Sequence, residues 1–244
     1  MQKILMMKKF FLLLLVTFSV TICQAQNDVV VDANASLRSL SGDFSAIKVL
    51  GGIDLYLSQS ENIAIAVSAA NENIKEGIKT LIENGTLKIF YKGDKSFKRK
   101  DRKIKVYVSF KDLKKIDASG ACDVIVAGSL IAATLDIQMS GACDFTGMVK
   151  VTSLNINLSG ASDVRISGTA NTVDIISSGA SDVKGYDLVT NVCNANVSGA
   201  SDINITVNTQ LNANASGASN VYFKGTGTIK ERNSSGASNI ARKD

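Results

Sequence analysis

Apolar and polar residues alternate along most of this chain, which is the pattern of β-strands that bury one face. In the clearest segments an apolar residue, mostly Leu, Ile, Val or Ala, occupies every second position, and the residues between are mostly Asp, Asn or Gln. These segments are residues 135–139, 154–158, 173–177, 193–197 and 211–215. Short second strands such as residues 124–126 and 203–205 follow, and the intervals are too short for helices. The pattern predicts an all-β fold.

A six-residue motif repeats through the second half of the chain. Ser-Gly-Ala is followed by Cys or Ser, then Asp or Asn, then an apolar residue, and the motif recurs at nearly constant intervals. The seven copies begin at Ser119, Ser140, Ser159, Ser178, Ser198, Ser216 and Ser235. A unit of this size cannot bury its own apolar face, so successive units must stack. We therefore predict a parallel β-helix, or β-solenoid, with coils of about 19 residues that lie about 4.8 Å apart.

The repeated motif is predicted to form one corner of every coil. Gly gives the backbone the conformational freedom that a tight bend needs, and we expect the small Ala to point into the bend. The predicted corner glycines are Gly120, Gly141, Gly160, Gly179, Gly199, Gly217 and Gly236. A β-sandwich of hairpins is the alternative fold. It is disfavoured because its successive turns meet different surroundings, whereas this motif is nearly constant.

The chain before the first motif is β-rich but less regular. Residues 40–116 contain several alternating segments, one helix expected within residues 71–80, and a turn expected at Asn84-Gly85. We predict that this part forms irregular first coils and a cap over the open end of the solenoid. Residues 117–244 form the repeat solenoid, and residues 40–244 are expected to make one continuous domain.

The segment at residues 1–25 is predicted to be a signal peptide. Lysines precede an apolar run over residues 10–20, and Cys23-Gln-Ala25 places small residues before a cut that would leave Gln26 first. A lipoprotein acylated at Cys23 is the less favoured reading, because Ile22 stands where a small residue is wanted. Residues 26–39 would be a linker. We expect an exported protein of the periplasm, the outer-membrane surface or the extracellular space, without a membrane-spanning segment after cleavage.

The composition of the chain excludes several kinds of catalytic and metal-binding site. The chain has no His, Trp or Pro, which removes Ser-His and Cys-His nucleophiles and imidazole metal ligands. Its net charge is +5, and removal of the three lysines of the leader leaves +2. A basic block over residues 92–103 could attract an anionic polymer or phospholipid head groups, but a solvated loop between two strands is favoured. We expect no nucleic-acid partner.

One acidic position recurs in five successive motifs. The carboxylates are Asp123, Asp144, Asp163, Asp182 and Asp202, and Asn220 and Asn239 follow in the last two copies. We expect each side chain to accept hydrogen bonds from the backbone of its own corner, as Asp and Asn both can. The alternative is a column of Ca²⁺ sites. Because Asn neutralises a cation poorly, we expect neither a metal nor another cofactor.

Three cysteines remain beyond the leader. Cys122 and Cys143 occupy the same position in adjacent motifs, where stacking would bring them within disulfide range, although we do not expect a bridge. Cys193 takes an inward position of its strand. The odd number excludes a complete disulfide framework, and there is no four-ligand zinc site.

The order of segments in the first half resembles a known family. The relevant residues are Phe44-x-x-Ile47-x-Val49-x-Gly-Gly-Ile-Asp-Leu-Tyr-Leu57, Asn84-Gly-x-Leu87-x-Ile89, Lys105-Val-Tyr-Val108 and Leu113, followed by Ser119-Gly-Ala. This pattern is similar to the putative auto-transporter adhesin head (GIN) domain family, over roughly residues 40–240. The resemblance implies a right-handed β-helix and an exported protein with a role in adhesion. It implies no catalytic residues.

Two functions follow from these observations. Outward Asp and Asn ladders predict a flat polar face that could bind a surface glycan or protein, although stacked Asn also simply suits the geometry of a solenoid. Their members are Asp136, Asn155, Asp174, Asn194 and Asn212, with Gln138, Asn157, Asn196 and Asn214. We predict a non-enzymatic protein for surface adhesion or envelope interaction. The alternative is a polysaccharide lyase or hydrolase, which fold analogy alone supports weakly.

Overall fold

The structure is a computed structural model that describes residues 32–93 and 102–244. The predicted leader, Cys23 and residues 94–101 of the basic block lie outside the described residues. The described elements are β1 (Ser36–Arg38), β2 (Ala46–Gly51), β3 (Asp54–Gln59), β4 (Ala64–Ser68), α1 (Glu72–Gly77), β5 (Ile78–Glu83), β6 (Thr86–Tyr91), β7 (Lys105–Phe110), β8 (Lys115–Gly120), β9 (Asp123–Gly141), β10 (Asp144–Gly160), β11 (Asp163–Ser177), β12 (Asp182–Val197), β13 (Asp202–Ala215), β14 (Asn220–Lys224), β15 (Thr228–Ser234) and β16 (Asn239–Arg242).

The predicted β-solenoid is confirmed. Strands β9 to β13 each run through most of one coil and pair in parallel with the next coil. Equivalent residues of successive motifs lie side by side, as Asp144 does with Asp123 on one side and Asp163 on the other. The fold has about seven turns, with coils of about the predicted length. The long strands are bent rather than straight, and positive φ angles at Gly128 and Gly168 mark such bends.

The core is a column of apolar side chains along the axis of the solenoid. Alternate residues of each strand point inward because successive side chains of a β-strand lie on opposite faces. Ile137, Ile156 and Ile175 form one inward ladder and are at most 1% exposed. The next two members of this ladder are Ala195 and Ala213, which are equally buried. One continuous cluster links these residues to the N-terminal part.

The N-terminal part supplies two further coils, and their order along the axis differs from their order in the chain. Strands β2 and β3 form one coil and pair in parallel with β8 and β9. Strands β6 and β7 form a second coil, which pairs in parallel with the other side of β2 and β3. The chain therefore forms the inner coil (β2 and β3) first and the outer coil (β6 and β7) second. It then returns to the other side of the inner coil, where β8 pairs with β2.

Antiparallel strands and the short helix cover the outer coil. Strand β5 joins β6 through Asn84 and Gly85, whose positive φ angles fit the predicted tight hairpin. Strand β4 pairs with β7, and β1 pairs with β4, both antiparallel. Helix α1 begins after Asn71, whose side chain accepts a hydrogen bond from the Ile74 N–H. It ends at Gly77, earlier than predicted, because Ile78 starts the β5 hairpin ladder.

Charged side chains, rather than a capping element, stand at the C-terminal end of the described solenoid. Strand β15 pairs with β13 on one side, and no described strand pairs with its other side. Arg232 stands in register with Ala213, in the ladder that carries Ile175 in an earlier coil. Arg232 is exposed, and a charge at an open sheet edge discourages pairing with another chain. The Arg242 guanidinium lies over the Phe223 ring and donates to the Gly227 carbonyl.

Candidate functional site

Each predicted corner glycine lies at a bend where two coils touch through their backbones. The seven glycines from Gly120 to Gly236 have φ angles between +73° and +107°. A Cβ atom on any of them would lie 2.3–2.8 Å from the carbonyl oxygen of the corner glycine in the preceding coil. The N–H of the following Ala donates to that same oxygen over 2.7–3.0 Å. The corner thus needs Gly both for its conformation and for its lack of a side chain.

The expectation that the Ala of the motif points into the bend is wrong. The residue that points inward is the fourth of the motif, which is Cys or Ser. The Ala side chains lie outward, and Ala161 and Ala180 are exposed. The fully buried residues are instead Cys122, Cys143, Ser162, Ser181, Ser201 and Ser219. Their polar atoms stay paired, because the Ser162 N–H donates to Ser181 Oγ (3.1 Å) and Ser181 Oγ lies 3.3 Å from the Ser178 carbonyl oxygen.

The structure reveals an eighth corner that the repeated motif does not show. Gly51 pairs with Gly120 in register, and its carbonyl oxygen accepts the Ala121 N–H at 3.0 Å. Asp54 follows Gly51 at the same spacing as Asp123 follows Gly120. The signal was Gly51-Gly-Ile-Asp54-Leu, which keeps the Gly and Asp of the motif but has Leu50 in place of Ser. The spacing of Gly, Asp and an apolar residue would have been enough to find it.

The last three aspartates of the predicted acidic column accept hydrogen bonds from the next coil rather than from the backbone of their own corner. Lys184 Nζ donates to Asp163 Oδ2 at 2.8 Å, and Asn220 Nδ2 donates to Asp202 Oδ1 at 2.7 Å. Asp123 and Asp144 are exposed, at the two coils before this network. Within residues 32–93 and 102–244, no group of three acidic or cysteine side chains is arranged to hold a metal ion.

Cys122 and Cys143 are neighbours in the buried corner column and are free thiols in the structure. Cys122 Sγ lies 3.0 Å from the Gly51 carbonyl oxygen, and Cys143 Sγ lies 3.4 Å from the Ser140 carbonyl oxygen. A hydrogen bond between the two side chains lowers the pKa of Cys143. The same bond, with burial, raises the pKa of Cys122. Cys193 is fully buried at its expected inward position, and burial raises its pKa to about 12.

The predicted polar face is formed by two columns of side chains, and hydrogen bonds join neighbouring members of each column. In the first column Asn155 donates to Asp136 at 2.6 Å and Asn194 donates to Asp174 at 2.6 Å. In the second column Asn214 donates to Asn196 at 2.8 Å. These contacts fix the side chains, so the face presents an ordered array of amides and carboxylates. The structure adds two members to the second column, which are the exposed Ile176 and Asn233.

An axial groove lies beside the second column, over the last four coils. It is about 360 Å³ in volume, and two rows of side chains line it. One row is Asn196, Asn214 and Asn233, and the other is Ser198, Ser216 and Ser235. Ile176 stands at one end and is 54% exposed. The rows run parallel to the solenoid axis because each residue comes from the same position of its coil.

A sequence model of one family matches residues 43–227 of the chain, and its description is "Putative auto-transporter adhesin, head GIN domain". This match confirms the resemblance drawn from the residues. A comparison with curated proteins finds no match. Among the described residues, no helix is both long enough and apolar enough to cross a membrane.

Several solved structures share this fold. A putative adhesin from Bacteroides fragilis is 25% identical, with a TM-score of 0.78 over 87% of this chain and 98% of that chain. A putative adhesin from Parabacteroides merdae is 21% identical, with a TM-score of 0.66 over 87% and 98% of the two chains. A putative lipid binding protein from Parabacteroides distasonis is 20% identical, with a TM-score of 0.65 over the same shares. The last two likenesses concern the fold alone.

Proposed function

Because the chain belongs to the putative auto-transporter adhesin head (GIN) domain family, we propose that it is an exported, non-enzymatic protein that binds a surface partner through its polar face. The observation that carries this proposal is the ordered array of amides and carboxylates along the solenoid. Asn and Asp side chains repeat once per coil and are held by one another, so a partner meets a rigid, periodic surface. The similarity to a putative adhesin of Bacteroides fragilis supports it.

Export is the second part of the proposal and rests on the sequence of residues 1–25. Their lysines, apolar run and small residues before Gln26 fit a cleaved signal peptide. Export would place the polar face in the envelope or outside the cell, where it could meet a glycan or a protein of another surface.

No contact among the described residues favours the alternative, a polysaccharide lyase or hydrolase. A glycosidase requires two carboxylates on either side of the scissile bond, one of them with a raised pKa. No residue that lines the axial groove is acidic. The aspartates of the corner column repeat identically along another face instead of forming one unique pair.

The experiment follows a tagged full chain in the bacterium that encodes it. Antibody labelling of intact cells measures exposure, and beads coated with the purified protein measure adhesion to the same cells. We expect surface labelling, and adhesion that Asn157→Lys/Asn196→Lys abolishes. The matched control, Thr146→Lys/Asn204→Lys, adds the same charge outside the polar face. A tag that stays in the cytosol, absent adhesion, or an equal loss in both variants would contradict the proposal.

A further inference from the structure

We propose that the axial groove binds a neutral, unbranched polysaccharide that lies along the solenoid axis, with about one sugar residue per coil. The inference rests on the proposed binding function and names its ligand class. Four observations carry it: the charge of the groove, its spacing, its free hydrogen-bonding groups and the state of the backbone beneath it.

The groove carries no charge. All of its lining residues are uncharged, although the chain contains 27 basic and 22 acidic residues. An anionic or cationic polymer would lose its hydration in the groove without gaining a partner of opposite charge. A ligand with only hydroxyl and ether oxygens has no charge to desolvate, and its hydroxyls can hydrogen-bond to uncharged side chains. The groove therefore fits a neutral glycan better than an anionic one.

The two rows that line the groove repeat at the distance between coils, about 4.8 Å. This repeat is similar to the length of one pyranose residue, so each sugar of an extended chain would meet one Asn and one Ser. Asn196, Asn214 and Asn233 form the first row. Asn233 donates to Asn214 and Asn214 donates to Asn196, which keeps the three amides in one orientation. A periodic ligand can use all three coils in the same way.

Several polar groups in the groove have no protein partner among the described residues. Both side-chain N–H groups of Asn196 are free, because the preceding coil offers Ile176 at that position. The hydroxyls of Ser198 and Ser235 make no hydrogen bond within the described part of the chain. Sugar hydroxyls both donate and accept, so they can satisfy such a mixed set. The exposed Ile176 side chain would contact the apolar C–H face of a terminal sugar.

The backbone of three of the four coils under the groove is paired on both sides, which argues against a peptide ligand along those coils. A peptide that adds to a sheet needs an open strand edge for its N–H and C=O groups. Strands β11, β12 and β13 are paired with the next coil on both sides. Side chains are the available partners over these coils, and this favours a ligand that binds through hydroxyls.

Isothermal titration of the full chain tests the proposal with cellohexaose, maltohexaose and β-1,4-mannohexaose. Hexagalacturonate and an uncharged Gly-Ser-Asn decapeptide serve as comparison ligands. We expect at least one neutral hexasaccharide to bind at least tenfold more tightly than its disaccharide, because each added sugar meets another coil. Ser198→Glu should weaken this binding at least tenfold. Ser140→Glu, the same corner position outside the groove, should leave it unchanged.

A second variant separates loss of contact from loss of fold. Asn196→Asp keeps the acceptor for Asn214 and removes the free N–H groups, so it should weaken binding at an unchanged melting temperature. Preference for hexagalacturonate or the decapeptide, or equal binding by wild type and Ser198→Glu, would overturn the inference. So would cell adhesion that depends on the polar face without binding of any neutral hexasaccharide; the proposed function would then stand. Absence of both cell adhesion and hexasaccharide binding would contradict the proposed function as well as the inferred ligand class.

Discussion

A Cβ atom on Gly160 would lie 2.5 Å from the carbonyl oxygen of Gly141, at the corner of two adjacent coils. The same oxygen accepts the Ala161 N–H at 2.7 Å. The hydrogen bond that joins the two corners therefore forces the glycine backbones so close together that no side chain fits between them. This relationship repeats at every motif, and it explains why the motif is nearly constant.

Gly160→Ala is expected to destabilise the protein more than Gly128→Ala does. Both glycines have positive φ, which costs an L-residue about 1–2 kcal/mol. A Cβ on Gly128 meets nothing within 4 Å, so this variant isolates that cost. At Gly160 the two coils must also separate, which adds about 1–3 kcal/mol, as overpacking does. Urea unfolding measures the difference, and equal losses would contradict the steric role of the corner.

Ser181→Ala is expected to lower the free energy of unfolding by about 1–3 kcal/mol, because it leaves the buried Ser162 N–H without an acceptor. Ser198→Ala is the matched control, since its hydroxyl is partly exposed and makes no side-chain hydrogen bond among the described residues. Its effect should be small, as it is for surface substitutions away from such contacts. Ser181→Cys should lie between them, since Cys fills this position at residues 122 and 143. A neutral Ser181→Ala would show that the hydroxyl column contributes nothing.

Millimolar Ca²⁺ is expected to leave the melting temperature unchanged. Binding to the folded state alone would raise the stability as the site saturates. The carboxylates of Asp163 and Asp202 already accept hydrogen bonds from Lys184 and Asn220. Thermal melts with millimolar Ca²⁺, or with an equal concentration of a chelator, provide the measurement, in a range suited to weak extracellular sites. An upward shift that Asp123→Asn/Asp144→Asn removes would establish a cation site at the exposed end of the column.

Cys122 and Cys143 are expected to remain free thiols that resist alkylation in the native protein. Both side chains are fully buried, and backbone carbonyls accept their S–H groups. Iodoacetamide should modify them only after unfolding, and the intact mass should be the same with and without a reductant. Cys122→Ser/Cys143→Ser should fold, because Ser occupies this position in the later coils. A mass lower by two hydrogens before reduction would show that the pair forms a disulfide.

Arg232→Leu is expected to promote self-association through the C-terminal edge. Arg232 is exposed and stands in register with the inward ladder at the last coil, where a charge discourages an open edge from pairing with another chain. Leu would extend the apolar ladder to the open end of the solenoid. Size-exclusion chromatography with light scattering measures the change. Lys150→Leu, which exposes the same side chain in mid-solenoid, should stay in the state of the wild type. Identical behaviour of both variants would contradict a protective role for Arg232.

The repeat determined the fold without help from the structure. Alternating segments and a motif that returns at nearly constant intervals can bury their apolar faces only by stacking, so register and coil length followed from the sequence. The polar columns followed for the same reason, since a period of two assigns each residue of a strand to one face. The helix after Asn71 and the Asn84-Gly85 hairpin were predictable because their signals are local.

Three features were decided only by tertiary structure. The outer position of the β6–β7 coil could not be predicted from the sequence. Its strands alternate like those of any other coil, and this local pattern does not show in which order the coils stack along the axis. The outward Ala and the inward Ser or Cys depend on the path of the corner, which contacts between coils impose. The axial groove arises where Ile176, Asn196 and Ser198 from different positions meet, and such proximity exists only once the coils are stacked.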